Sequence, residues 1–314
     1  MQLYHDTDNT NHLIDAIQSL KKKRNATILA HNYQCLEVQH CADMVGDSLE
    51  LSRVISSIDS AVIVFCGVLF MAETAALLSP DKTILLPEIN AGCPLADSIS
   101  AYHLKLFKAR YKNRPVVTYI NSSAAVKAES DICCTSSNAL SVVNSLPNDE
   151  IIFTPDKNLG SYIQQHTSKR LILWHGFCPV HNYVTDNEIM YKKQCFPHAK
   201  IIAHPESPDE VLQRADEITS TSGMLKILQH SDDKEYIICT ELGLIEKMQY
   251  DFPEKTLIPA SSKLFCYDMK RITLASVANA LHNMQYAITV DANIAQHARN
   301  AISRMLEIHH ESTV

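Results

Sequence analysis

Three cysteines in this chain occupy matching places in a repeated sequence. Three thiols gathered by repetition would form the donor set of a metal or cluster site. A gapless shift of 173 residues lays residues 26–93 over 199–266 with sixteen identities in sixty-eight positions. Average residue usage would give about one identity in twenty. The matched pairs include His31 with His204, Asp43 with Asp216, Cys66 with Cys239 and Cys93 with Cys266. A weaker third copy lies between them. A shift of 88 brings Asp43 onto Asp131, Ser48 onto Ser136, Phe65 onto Phe153 and His31 onto Tyr119, and a later three-residue deletion aligns Cys93 with Cys178. Three thiolates without a fourth protein ligand leave one coordination position open for a reactant. Soft sulfur ligands suit zinc or an iron–sulfur cluster, and the spacing leaves both open. Cys66, Cys133, Cys134 and Cys239 read as small core residues, and Cys35, Cys41 and Cys195 as bystanders.

Two further sets recur with the repeat. The first is a pair of polar or titratable groups at i and i+2: His31 with Tyr33, Tyr119 with Asn121, and His204 with Glu206. Each pair follows a short apolar run. If that run is a strand, its i and i+2 side chains point the same way, and ligands of parallel sheets sit beyond the carboxyl ends of their strands. Six such groups would then converge on one cavity. The second set is a Ser/Thr cluster around Ser48, Ser136 and Thr221. Each cluster precedes a helical stretch, where hydroxyls cap the helix and free amides bind anions.

The elements that must position these residues are legible in the same register. Each copy opens on a short apolar strand, at 26–30, 115–118 and 200–203. Further strands follow at 61–65, 151–153 and 236–239, then at 83–86, 170–174 and 256–258. Apolar runs alternating with helical stretches imply buried parallel strands joined by crossover helices. The fold class expected is α/β, with three Rossmann-like parallel-sheet domains in a pseudo-threefold arrangement around a central site. The divisions are 1–112, 113–198 and 199–314. An amphipathic helix is expected over 9–23 and a closing helix over 292–310.

Bulk properties narrow the function. The chain has 314 residues, 46% of them hydrophobic, and a formal net charge of −7, which disfavours nucleic acid or an anionic membrane as partner. No apolar run reaches the roughly 18 residues of a membrane span. Ten cysteines in a chain that opens on polar, acidic residues suggest a reducing compartment, the cytoplasm. No CxxC, GxGxxG or phosphate-binding Walker loop is present.

Nine segments carry a resemblance to a known family. They include ILAHNYQ (28–34), ADMVGDSLELSR (42–53), AGCPLADS (91–98), VTYINSSAAVKAESDICCTSSNA (117–139), LWHGFCPVH (173–181), AHPESP (203–208), TSTSGM (219–224) and CYDMK (266–270). The chain resembles the quinolinate synthases of NAD biosynthesis over nearly its whole length. The resemblance implies a transferase that condenses iminoaspartate with dihydroxyacetone phosphate, releasing phosphate and two waters. It implies a 4Fe-4S cluster on Cys93, Cys178 and Cys266, with the fourth iron free for substrate. The implied substrate-binding positions are His31, Ser48, Tyr119, Ile120, Asn121, Ser136, His204, Pro205, Glu206 and Thr221. Tyr33, His181, His204 and Glu206 are the implied acid–base groups. Functional coupling to whichever enzyme supplies iminoaspartate also follows. Some relatives carry a second cysteine just after the third cluster ligand. Tyr267, Asp268 and Met269 stand there instead, so a thiol switch at that point is not expected.

Overall fold

The computed structural model describes residues 7–308, and the side chains of residues 11–308. Among the described residues, twelve strands form three four-stranded sheets, each wholly parallel. The first sheet holds β1 (Ala26–His31), β2 (Met44–Gly46), β3 (Val62–Cys66) and β4 (Thr83–Leu85), in the order β2-β1-β3-β4. The second holds β5 (Val116–Tyr119), β6 (Ile132–Cys134), β7 (Glu150–Thr154) and β8 (Arg170–Leu173), ordered β6-β5-β7-β8. The third holds β9 (Lys200–Ala203), β10 (Glu217–Ile218), β11 (Glu235–Cys239) and β12 (Thr256–Pro259), ordered β10-β9-β11-β12. The same strand order appears three times, so the sequence triplication is a triplication of architecture. The α/β expectation holds.

Nine of the twelve strands lie where apolar runs predict them, within a residue at each end. The other three are β2, β6 and β10, two or three residues each. They add an edge strand beside β1, β5 and β9. All three are too short for a run of alternating or continuous hydrophobicity to mark them. An acidic residue before each one fixes its place. The carboxylates of Asp43, Asp131 and Asp216 accept the backbone N–H of Ile28, Val116 and Ile201 at 2.8, 2.7 and 2.8 Å. The identity of these three aspartates in the alignment thus reports a side chain that pins one strand start to the next.

The central strands are buried throughout. Ile63, Val64, Ile151, Phe153, Ile237 and Ile238 are fully inaccessible, which explains continuous apolar runs in place of alternation. Cys66 and Cys239 are core residues of central strands, and Cys133 and Cys134 are core residues of the edge strand β6. The first helix runs over Thr7–Arg24 and the last over Ala292–Glu307. Residues 309 and 310, expected to end that last helix, lie outside the described residues. The helix Leu274–Asn283 packs on the first helix, and the last helix packs on the helix Ala124–Ala128 and on β6. Both therefore extend a core shared by the first and second sheets, although they follow the third sheet in sequence.

Candidate active site

Each opening strand ends in a tight turn. The Gln34 N–H donates to the His31 carbonyl at 3.0 Å and the Ser207 N–H to the His204 carbonyl at 2.9 Å, while in the second repeat the Ser122 hydroxyl donates to the Tyr119 carbonyl at 3.1 Å. The chain therefore leaves the strand at once. The i and i+2 side chains stay together for a different reason from strand alternation. The Tyr33 N–H donates to His31 Nδ1 at 3.1 Å, and the Glu206 N–H to His204 Nδ1 at 3.3 Å. This bond holds Nδ1 as an acceptor and leaves the proton of a neutral ring on Nε2. Burial, then the charge of Lys270, pushes His31 down from 6.5 to about 3. Burial also lowers His204. Both imidazoles are neutral near pH 7.

The Ser/Thr clusters sit beside helix starts, but the capping falls to their neighbours. Asp47 caps the helix Ser48–Ile55, accepting the Leu49 and Glu50 N–H groups at 2.9 Å each, and Ser220 caps Thr221–His230 through the Gly223 N–H. Ser48 and Thr221 therefore occupy the first helical turn beside the uncapped amides. Ser136 lies in the turn before Ala139–Ser145.

All six strand-end groups, Ser48, Ser136, Thr221 and the three repeated cysteines line one cavity of about 160 Å³. Cys93 and Cys178 are the N-cap residues of short helices that begin with Pro94 and Pro179. Proline's fixed φ suits that first helical position. Cys266 follows β12 in an equivalent loop. In all three repeats the N–H three residues on, from Ala96, His181 or Met269, points at the cysteine sulfur. Burial nevertheless pushes the thiols of Cys93 and Cys178 well up and that of Cys266 to about 11. Three thiolates can form there only with a cation to balance them. The other predicted positions lie close by. Ile120 lines a smaller hollow beside Ser48, and Pro205 is buried between His204 and Glu206.

A hydrogen-bonded chain of buried groups forms one wall. His181 Nδ1–H donates to Glu206 Oε2 at 3.0 Å and faces Cys178 Sγ at 3.3 Å. The ring stacks on His204, with centroids 4.7 Å apart. Its Nε2 faces the Thr240 hydroxyl at 3.1 Å and the Tyr33 hydroxyl at 3.3 Å, and those two hydroxyls are 2.8 Å apart. Burial alone would favour the neutral acid at Glu206, but the bond from His181 outweighs it and holds Glu206 below the usual carboxylate range. Burial and the Glu206 charge push Tyr33 well above 10. Glu206 Oε1 and Asn121 Oδ1 are buried with no hydrogen-bond partner in the protein. Both residues line the cavity, so both oxygens are acceptors available to a bound molecule.

A family model described as quinolinate synthetase A protein matches residues 15–307. The quinolinate synthase of Dehalococcoides mccartyi (strain ATCC BAA-2266 / KCTC 15142 / 195) is 50% identical over 292 residues, 93% of this chain and 97% of that protein. Those of Methanoregula boonei and Thermodesulfovibrio yellowstonii are 49% and 48% identical, covering 96% and 95% of this chain and 100% and 99% of their own. The chain belongs to the quinolinate synthase family.

In this quinolinate synthase fold, Cys178, His181 and Glu206 offer ligand atoms within 4.8 Å of one another, close enough to hold a metal ion. Cys93, Cys178 and Cys266 share the cavity. Thr240 escaped the sequence reading. It follows the apolar strand β11, and its partner in the 173-residue register is Gly67, so nothing polar repeats there.

Proposed function

We propose that this chain condenses iminoaspartate with dihydroxyacetone phosphate to give quinolinate, releasing phosphate and two waters, as a transferase of NAD biosynthesis in the cytoplasm. The observation that carries this reading is the convergence, on one cavity, of three thiols and a buried carboxylate with a free oxygen. Cys93, Cys178 and Cys266 would each give one sulfur to a 4Fe-4S cluster. The donor set fits: soft thiolates brought to one cavity by three separate loops suit a cluster, where each iron takes its own thiolate. When bound, the cluster's fourth iron supplies a Lewis acid that polarises a hydroxyl or carbonyl.

The chain's own residues do the rest. Glu206, ionised and carrying an unpartnered Oε1, takes carbon-bound protons from the condensing skeleton. His181, held between Glu206, Thr240 and Tyr33, passes protons toward the tyrosine hydroxyl. His31 and His204 present Nε2–H to oxygens of the substrates. Asn121 accepts from a substrate N–H or O–H. Tyr119 closes the apolar side of the cavity, and Ile120 and Pro205 set the backbone of the two turns. Ser48, Ser136 and Thr221, with neighbouring helix-end amides, hold the carboxylates and the phosphate. Iminoaspartate is unstable in water, so efficient turnover requires functional coupling to the enzyme that forms it.

The test is an oxygen-free assay of quinolinate and phosphate, with iron and sulfide quantified on the same sample. We expect about four irons and four sulfides per chain, and product only when both substrates are present. Phosphate-independent dehydration of a dicarboxylate, or a single zinc per chain, would replace this reading.

A further inference from the structure

Position 68 of the first repeat maps to Asp156 in the 88-residue register and to Glu241 in the 173-residue register. All three are N-cap residues of the helix that follows the second central strand: Leu69–Leu78, Lys157–Gln165 and Leu242–Asp251. The second and third repeats place a carboxylate there, and both carboxylates are completely buried. One oxygen of each serves its helix, since Asp156 Oδ1 accepts the Leu159 N–H at 2.8 Å and Glu241 Oε2 the Gly243 N–H at 2.7 Å. The other oxygen reaches a cysteine. Asp156 Oδ2 accepts the Cys178 N–H at 3.1 Å, and Glu241 Oε1 accepts the Cys266 N–H at 3.0 Å. A plain helix cap needs neither the second oxygen nor full burial. In the first repeat Val68 offers no such group. The backbone bond from the Leu69 N–H to the Ala91 carbonyl recurs in the other two repeats, from Lys157 to Gly176 and from Leu242 to Leu264, at 2.8 Å in each, so the carboxylate bond to the cysteine N–H is an addition in the second and third repeats.

We propose that Asp156 and Glu241 are positioning residues that clamp the peptides of Cys178 and Cys266, so that these two loops present their sulfurs to the shared cavity. The role as cluster support rests on the ligand reading given above. Glu241 is itself held by Lys270, whose Nζ lies 2.8 Å from both carboxylate oxygens and also bonds the Tyr33 carbonyl. The third-repeat clamp therefore ties the Cys266 loop to the turn that carries Tyr33. Groups that orient metal ligands are typically worth about 10–100-fold in metal affinity.

Asp156→Ser separates the two duties of this residue. A serine hydroxyl caps the helix, but it has one oxygen and cannot also hold the Cys178 peptide. In metal-free protein we expect faster alkylation at Cys178, read by mass spectrometry, with Cys93 unchanged. In loaded protein we expect iron release to a chelator to quicken roughly tenfold or more. Glu241→Gln should do the same at Cys266. Thr185→Ala, which removes an ordinary cap from the helix Asp186–Cys195, should change neither readout. Wild-type alkylation at Cys178 in Asp156→Ser, or wild-type iron release in both carboxylate variants, overturns the proposal. Wild-type protein that takes up no iron removes the cluster reading instead, and the alkylation pattern then reports on the clamp by itself.

Discussion

Glu206 concentrates the chemistry that a single residue can carry. It is buried, ionised through His181, and has one oxygen without a partner. Glu206→Gln keeps the shape and removes the basicity. General acid–base groups contribute about 10²–10⁴ in rate, so turnover should fall by that factor while iron content stays at the wild-type level. Wild-type activity in this variant would end the role assigned to it. Cys178→Ser should do the reverse, losing iron and colour before anything else, and a fully loaded, active variant would refute that ligand. His31 makes a prediction about pH. The folded protein keeps it neutral down to about pH 3, whereas the unfolded chain protonates it near 6.5. Below pH 6.5 the unfolded state therefore binds one more proton, and stability falls with falling pH by about 1.4 kcal/mol per unit. Burial raises several carboxylates in the fold, Asp47, Asp156 and Glu246 among them, and these contribute alike to wild type and to a variant changed only at position 31, so the difference between the two over pH 6.5 to 4.5 reports His31. Urea denaturation of metal-free protein across that window should give His31→Gln a shallower slope than wild type, and equal slopes would mean that His31 is protonated in the fold.

At the level of elements, much of the site could be read before any coordinates. The repeat register finds the three strand ends and the three thiol loops because a polar pair and a cysteine recur at matching positions in each copy. It misses what holds them. β2, β6 and β10 are too short to carry a pattern, and the local bond from the i+2 N–H to His Nδ1 has no sequence period. Glu50 shows how such supports couple repeats. It accepts the Asp47 N–H at 3.0 Å, completing a capping box, and the Ser222 hydroxyl at 2.6 Å from the third repeat. Gly243 marks a closer approach. A Cβ there would lie 2.5 Å from the Gln34 carbonyl oxygen and 2.8 Å from that of Tyr33. Both are backbone atoms, so the turn itself must move. Gly243→Ala should cost about 1–3 kcal/mol, the range for overpacking. By displacing Tyr33 it should also lower turnover at least tenfold. Thermal unfolding and kinetics on the same preparation check it, and a variant with wild-type values for both would show that the turn yields freely.

Across the whole molecule the three repeats are not independent. The segment after the helix Leu274–Asn283 pairs with the edge of the first sheet, where Leu86 and Tyr286 exchange N–H···O bonds of 2.9 and 3.1 Å. That covers an edge strand that would otherwise invite another chain. The last helix then lies across the first and second repeats. Arg299 Nε donates to the Leu77 carbonyl at 2.7 Å, and an Arg304 guanidinium nitrogen donates to the Asp131 carbonyl at 2.6 Å. Ala298, Ile302 and Met305 are buried in the core that both repeats share. That a helix closes the chain was legible in the sequence. Its destination was not, because periodicity reports that a face is buried and never against what. The packing predicts how damage spreads. Met305→Ala should cost about 2–5 kcal/mol and loosen two sheets at once. Hydrogen exchange would then speed up in β1–β3 and in β5–β7 together, while β9, β11 and β12, which pack around separate clusters, keep more of their protection. Faster exchange confined to the second sheet would mean that the last helix closes one repeat alone, and the first two repeats would then have to be treated as separate folding units.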